Sequence, residues 1–184
     1  MVNLFQHLQV SFIGISNWAL DPAKMNRGIL LSRGVPDKSD LVKSATGICS
    51  RDNDALMLMK PSIQKLADGY AEVYKRQKRE YFGLRDFYSL VKMVYAAVCK
   101  NRSVPTREDI TYAVQRNFGG SFGNFKPASV FLKTVYPDAD EREFTPPKEL
   151  VSDAVRQEGE TRYILLLTKN NAALNIIQEQ VTIK

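Results

Sequence analysis

The sequence predicts a mainly α-helical chain with a small α/β part at its N-terminal end. Three observations carry this reading. Before Val35–Pro36 the apolar residues come in short unbroken runs, Val10–Ile15 and Ile29–Leu31. After it they recur with a period of about 3.6 residues, as in Leu41, Ala45 and Ile48 on one helical face. Toward the other end, Arg162–Thr168 is again one strand-like apolar run, followed by a helical pattern.

Taken in order, Val10–Ile15 fits a strand of a parallel sheet covered on both faces, interrupted only by the small polar Ser11. Asn17 falls where that strand would leave the sheet, the side on which open α/β sheets place their ligand crevice. Asp21–Pro22 opens a helical turn, with Asp as cap and Pro as first helical residue, and Gly28 ends it. Ile29–Leu31 reads as a second short strand before Arg33–Gly34.

Four helices are expected next. Asp37 caps the first, with Asp40 at its third position. Pro61 opens the second, which turns Ile63, Leu66, Ala67, Tyr70 and Tyr74 inward. Gly83 precedes the third, lined by Phe87, Leu90, Val91, Val94 and Val98. Thr106 with Asp109 signals the start of the fourth, lined by Ile110, Ala113, Val114 and Phe118 and stopped by Gly119–Gly120. Beyond it, Pro127 starts a short helix through Phe131 and Leu132, and Tyr136–Pro147 is an acidic, Pro-punctuated connector. The stretch from Lys148 to Gly159 is weakly helical, and Asn170 caps a last helix using Leu174, Ile177 and Val181. The expected divisions are 1–35, 36–120, 121–160 and 161–184.

Composition narrows the function classes. With 184 residues, 44% hydrophobic and 25% charged, the chain is globular rather than disordered. No apolar run reaches the roughly 20 residues of a membrane span, and Met1–Phe5 lacks the basic and apolar segments of a signal peptide, so no transmembrane segment or leader is expected. The two cysteines, Cys49 and Cys99, sit in helical patterns without a C-x-x-C neighbour and read as reduced core thiols. With His7 the single histidine, no metal site is expected. The net charge is +6, and Lys75, Arg76, Lys78 and Arg79 cluster at the end of a helix. Beside Tyr70, Val73 and Tyr74 that cluster reads as a solvated face. A protein contact is the next reading, and nucleic acid is not expected, since no zinc-finger or single-strand-binding motif accompanies it.

Four residues are candidates for chemistry. The Asn17 amide both donates and accepts, so at a strand end it can orient a water or a phosphate oxygen without adding charge, or it can simply cap the following turn. Arg27 and Arg33 offer fixed guanidinium donors to a phosphoryl group, or serve as surface ion-pair partners. Arg85 opens a helix against its dipole, which points to a role outside that helix unless Asp86 neutralises it. What the chain lacks is equally informative. It contains no G-x-x-x-x-G-K-[S/T] loop and no apolar strand ending in an acidic pair for Mg²⁺, so alone it is expected to bind ATP weakly and not to hydrolyse it.

The order strand–Asn17, Leu20–Asp21–Pro22–Ala23 turn, Arg27, then a helical bundle with Arg85 at a helix start resembles the C-terminal part of an AAA+ ATPase module. The resemblance implies the end of a large subdomain followed by a helical lid. It implies Asn17 as the first sensor, Arg27 as the arginine finger with Arg33 as runner-up, and Arg85 as the second sensor, touching the nucleotide. The usual Pro-Gly pair before the finger is missing, since Arg27 precedes Gly28. Residues 12–34 and 81–94, with Arg116–Phe118 and Arg162–Thr168, further resemble the giant RING-finger ubiquitin ligases that carry a row of AAA+ units, at the end of one unit, the third by its order. That resemblance implies ATP and Mg in the intact parent, neighbouring AAA+ units of the same chain and the ubiquitin-transfer machinery as partners, and a cytosolic and lipid-droplet setting linked to angiogenesis, lipid metabolism and defence against microbes. The RING itself is not here, for want of a Cys/His cluster. The alternative is a helical interaction module without catalytic function.

Overall fold

Helix starts in this chain are fixed by side chains that replace missing backbone partners, and a computed structural model shows which of the expected ones form. It describes residues 13–16, 20–32, 34–78, 81–120, 124–140, 142, 144–156 and 171–180. The chain divides into two units, Met1–Val35 and Pro36–Lys184.

In the first unit Asp21 caps the four-residue helix α1 (Pro22–Met25), its Oδ1 accepting the Lys24 N–H at 3.1 Å. The chain bends at Gly28. The expected strands do not form among the described residues: 13–16 and 29–31 have no regular structure, and Ile13, Ile15, Ile29 and Leu31 are each at least 89% exposed. A strand leaves its N–H and C=O groups pointing sideways and needs a neighbour to pair them, and no such neighbour stands among the described residues.

The second unit is a helical bundle. Helix α2 (Lys38–Ile48) is capped by Asp37, whose Oδ1 accepts the Asp40 N–H at 2.8 Å, and it buries Leu41 and Ala45. Helix α3 (Asn53–Arg76) starts eight residues before Pro61, so Pro61 is internal rather than the first residue. Asp52 caps it, accepting from Asp54 and Ala55. The proline is tolerated because it removes only the donor to Met57, one turn back, and both residues face solvent, where water meets the orphaned carbonyl. Helix α4 (Leu84–Asn101) follows Gly83, and α5 (Arg107–Phe118) begins at Thr106 with the expected reciprocal cap: Thr106 Oγ1 accepts the Asp109 N–H at 3.1 Å and Asp109 Oδ2 accepts the Thr106 N–H at 2.9 Å.

Helix α6 (Pro127–Val135) extends the bundle past the glycines at 119–120. It lies against α3, with Phe131 over Gly69, and buries Phe131, Leu132 and Val135. α3 is thus the central element, packed against α2, α4 and α6. The core centres on aromatic rings from four helices: Tyr70 meets Phe87 at 5.1 Å between centroids, and Phe118 meets both Phe82 and Phe131 at 5.2 Å. Burial pushes the Tyr70 phenol well above its ordinary pKa.

Two glutamines fasten loops to helices as a strand edge would. Gln77 donates to the Phe82 carbonyl and accepts the Phe82 N–H, and Gln115 does the same for Thr145. The second pair brings helix α7 (Pro147–Arg156) down onto α5, where Arg116 donates to the Leu150 carbonyl and Val151 is buried. Helix α8 (Ala172–Gln180) packs on α7 but leaves Leu174 and Ile177 exposed. The expected strand at 162–168, its cap Asn170, and Val181 lie outside the described residues. Among the described residues no helix is long and apolar enough to cross a membrane.

Candidate functional site

Of the four candidate residues, Arg27 and Arg85 fall among those described, while Asn17 and Arg33 lie outside them. Arg27 is exposed in the turn after α1, where its N–H donates to the Lys24 carbonyl at 3.2 Å. Nothing in that backbone geometry requires arginine. Arg27 belongs to the first unit and Arg85 to the second, so the bundle carries only Arg85 of the four.

Arg85 is the second residue of α4 and its side chain is exposed. Its neighbour Asp86 turns back to accept the Gly83 N–H at 2.8 Å, while the Gly83 carbonyl receives the Asp86 N–H at 3.1 Å. Capping by Asp86 offsets the unfavourable placement of a cation at a helix N-terminus. The helix start is therefore secured by its neighbour, and the Arg85 side chain extends from it into solvent. That arrangement suits a phosphate contact, since guanidinium donors are planar and always charged.

The chain has no phosphate-binding loop, and among the described residues no group of three or more His, Cys, Asp or Glu converges as metal ligands would.

Burial makes the Cys49 thiol a poor nucleophile. Cys49 is buried and Cys99 half-buried, and both are free. Burial, reinforced by Cys99 nearby, pushes the Cys49 pKa up to about 11, which disfavours the reactive thiolate. In the basic cluster at the end of α3, Arg76 pairs with Glu72 one turn back, Lys75 and Lys78 are exposed, and Arg79 lies outside the described residues.

A larger concentration of positive charge is not the one singled out by the sequence. A groove of about 1660 Å³ lies between the end of α2, α4 and α5, lined by Arg51, Lys92, Lys100, Arg107 and Arg116. A signal for it was present in α4, where Lys92 and Lys100 recur two turns apart on one exposed face. It is easily passed over because the cations are dispersed along the sequence rather than adjacent.

Comparison with known proteins supplies what the geometry cannot. A family model described as the RNF213 AAA domain matches residues 3–40. The chain is 43% identical over 188 residues to the E3 ubiquitin-protein ligase RNF213 of Homo sapiens and 41% identical over 181 residues to that of Mus musculus. To the E3 ubiquitin-protein ligase rnf213-beta of Danio rerio it is 40% identical over 177 residues. These alignments cover 93–95% of this chain but only 4% of each relative, so the chain spans a small part of their length. By sequence, then, this chain is akin to one segment of the RNF213 (mysterin) ligases, and its AAA-domain match runs up to the start of its helical bundle.

Proposed function

We propose that the chain forms the nucleotide-sensing end of an AAA+ unit within a ubiquitin-ligase polypeptide, passing the state of bound nucleotide to neighbouring units of the same chain. The observation that carries this reading is the AAA-domain match at residues 3–40, a segment that holds Asn17, Arg27 and Arg33. The exposed Arg85, on a helix start secured by Asp86, supports it from the bundle side.

In this reading ATP with Mg binds mainly to preceding parts of the parent, and bound nucleotide supplies the phosphoryl charge that these residues sense. Asn17 orients water or a phosphate oxygen through its amide. Arg27, or Arg33 in its place, lends positive charge to the nucleotide of an adjacent unit. Arg85 reaches the nucleotide of its own unit and couples the bundle to it. Ubiquitin transfer belongs to other parts of the parent, in the cytosol and at lipid droplets. A second reading, a helical scaffold with no catalytic role, is favoured by one observation: the missing phosphate-binding loop.

The deciding experiment compares Arg85→Ala and Arg27→Ala in the intact parent, scoring ATP turnover and nucleotide occupancy unit by unit. Arg85→Ala is expected to weaken retention of nucleotide in its own unit. Arg27→Ala is expected to act on the adjacent one, where loss of an arginine finger costs about 10³–10⁵ in rate. Turnover, occupancy and unit arrangement unchanged in both would establish the scaffold reading.

A further inference from the structure

The groove beside α4 carries an inference independent of nucleotide. Its lining holds five cationic side chains against two carboxylates, Glu108 and Asp109. Asp109 is committed to capping α5, with Oδ2 accepting both the N–H and the hydroxyl of Thr106. Arg107 pairs with Asp138 and lies 4.9 Å over the Tyr136 ring. Arg116 donates to the Leu150 carbonyl and shares the Tyr112 phenol with the Asp153 carboxylate, so it contributes little net charge. The groove is therefore an electropositive channel.

Its size selects the class of occupant. At about 1660 Å³ it exceeds the roughly 300–1,000 Å³ of small-molecule pockets. Small residues along it, Gly47, Ser89, Ala96 and Ala97, allow close approach of another backbone, and Met93 and Tyr112 add apolar surface.

We propose that the groove between α2, α4 and α5 docks an acidic polypeptide segment. Carboxylates of that segment meet Arg51 and Lys100, and its backbone lies along the small residues of α4. Charge complementarity of this kind sets partner choice and association rate.

The test uses this chain and a labelled peptide of alternating Glu and Ala, with binding followed by fluorescence anisotropy. Lys92→Glu combined with Lys100→Glu is compared with Lys75→Glu combined with Lys78→Glu, which changes the net charge equally at the far end of α3. The groove reversal is expected to weaken binding by about tenfold or more and the α3 reversal by less than about twofold. Ala96→Trp, which fills the groove at constant charge, is expected to weaken binding as well. Circular dichroism confirms that each variant keeps its helices. Equal weakening by both reversals, or binding untouched by Ala96→Trp, overturns the proposal. So does absence of binding by the parent chain. A single-stranded RNA of equal charge that binds as tightly and with the same variant dependence also overturns it, because the site then reads charge alone.

Discussion

The two units solve the same problem with opposite success. Around α1, residues 13–16 and 29–31 are as apolar as the bundle helices yet leave Ile13, Ile15, Ile29 and Leu31 almost wholly exposed. In the bundle, Leu66, Phe87, Leu90, Val114 and Phe118 are completely buried. The difference lies in where each kind of element finds its hydrogen bonds. A helix satisfies its backbone within four residues and needs partners only for one face. A strand needs partners for its backbone as well as its side chains. The buried core of the bundle is built from side chains between Leu41 and Val151, whereas the described part of the first unit lacks the sheet its apolar runs call for.

The largest effect should come from breaking the shared aromatic centre. Phe118 touches Tyr70, Phe82 and Phe131, so Phe118→Ala should cost about 3–5 kcal/mol in chemical unfolding, as for other buried aromatics. The matching change in the first unit, Ile29→Ala, should move stability by less than about 0.5 kcal/mol, since that side chain is 94% exposed. Equal losses would mean that the first unit has a core of its own.

An intermediate effect tests whether α6 belongs to the bundle. A Cβ at Gly69 would fall within the Phe131 ring, and the obstacle is a large buried side chain with little room to move. Gly69→Ala should therefore destabilise by about 1–3 kcal/mol despite the better helix propensity of alanine. If thermal unfolding shows the variant to be more stable, α6 packs less tightly on α3 than the ring position implies.

The smallest effect is a dependence on acid confined to the bundle's caps and surface pairs. The α2 cap bond from the Asp40 N–H lowers the Asp37 pKa from its ordinary 3.8. The Ala55 N–H, then Arg102, lower that of Asp52, and Arg107 lowers that of Asp138. A carboxyl whose pKa is lower folded than unfolded stabilises fully above the unfolded value and loses that contribution as pH falls through the folded one. The melting temperature should hold steady from neutrality to about pH 5 and then decline. The combined variant Asp37→Asn with Asp52→Asn should flatten that decline, and an unchanged slope would place the acid sensitivity elsewhere. All three groups lie at the surface, so solvent screening keeps the effect modest.

The helix start that carries Arg85 was legible because its reasons are local. Arg85 stands out in sequence as a cation opposing a helix dipole, and the structure shows how Asp86 secures that helix start. The groove was not legible as a site, because Arg51, Lys92 and Arg116 come from three places in the chain and meet only through packing. Neither Asn17 nor Arg33 is among the described residues, so their roles rest on their positions in the AAA-domain segment.

By itself the sequence determined where α1, α2 and α5 begin, since Asp21, Asp37 and the Thr106–Asp109 pair act on backbone groups no more than three residues away. It determined which faces of α3, α4 and α5 turn inward, because the helical period orders those side chains regardless of partner. It also determined that no phosphate-binding loop is present. Only the tertiary structure decided that α3 runs unbroken through Pro61, since the cost of that proline depends on whether the orphaned carbonyl faces water or core. Only the tertiary structure decided that α6 completes the core, through a ring lying over a glycine 62 positions earlier. It also left the N-terminal apolar runs without strand structure among the described residues, because pairing is a property of neighbours and not of the run itself.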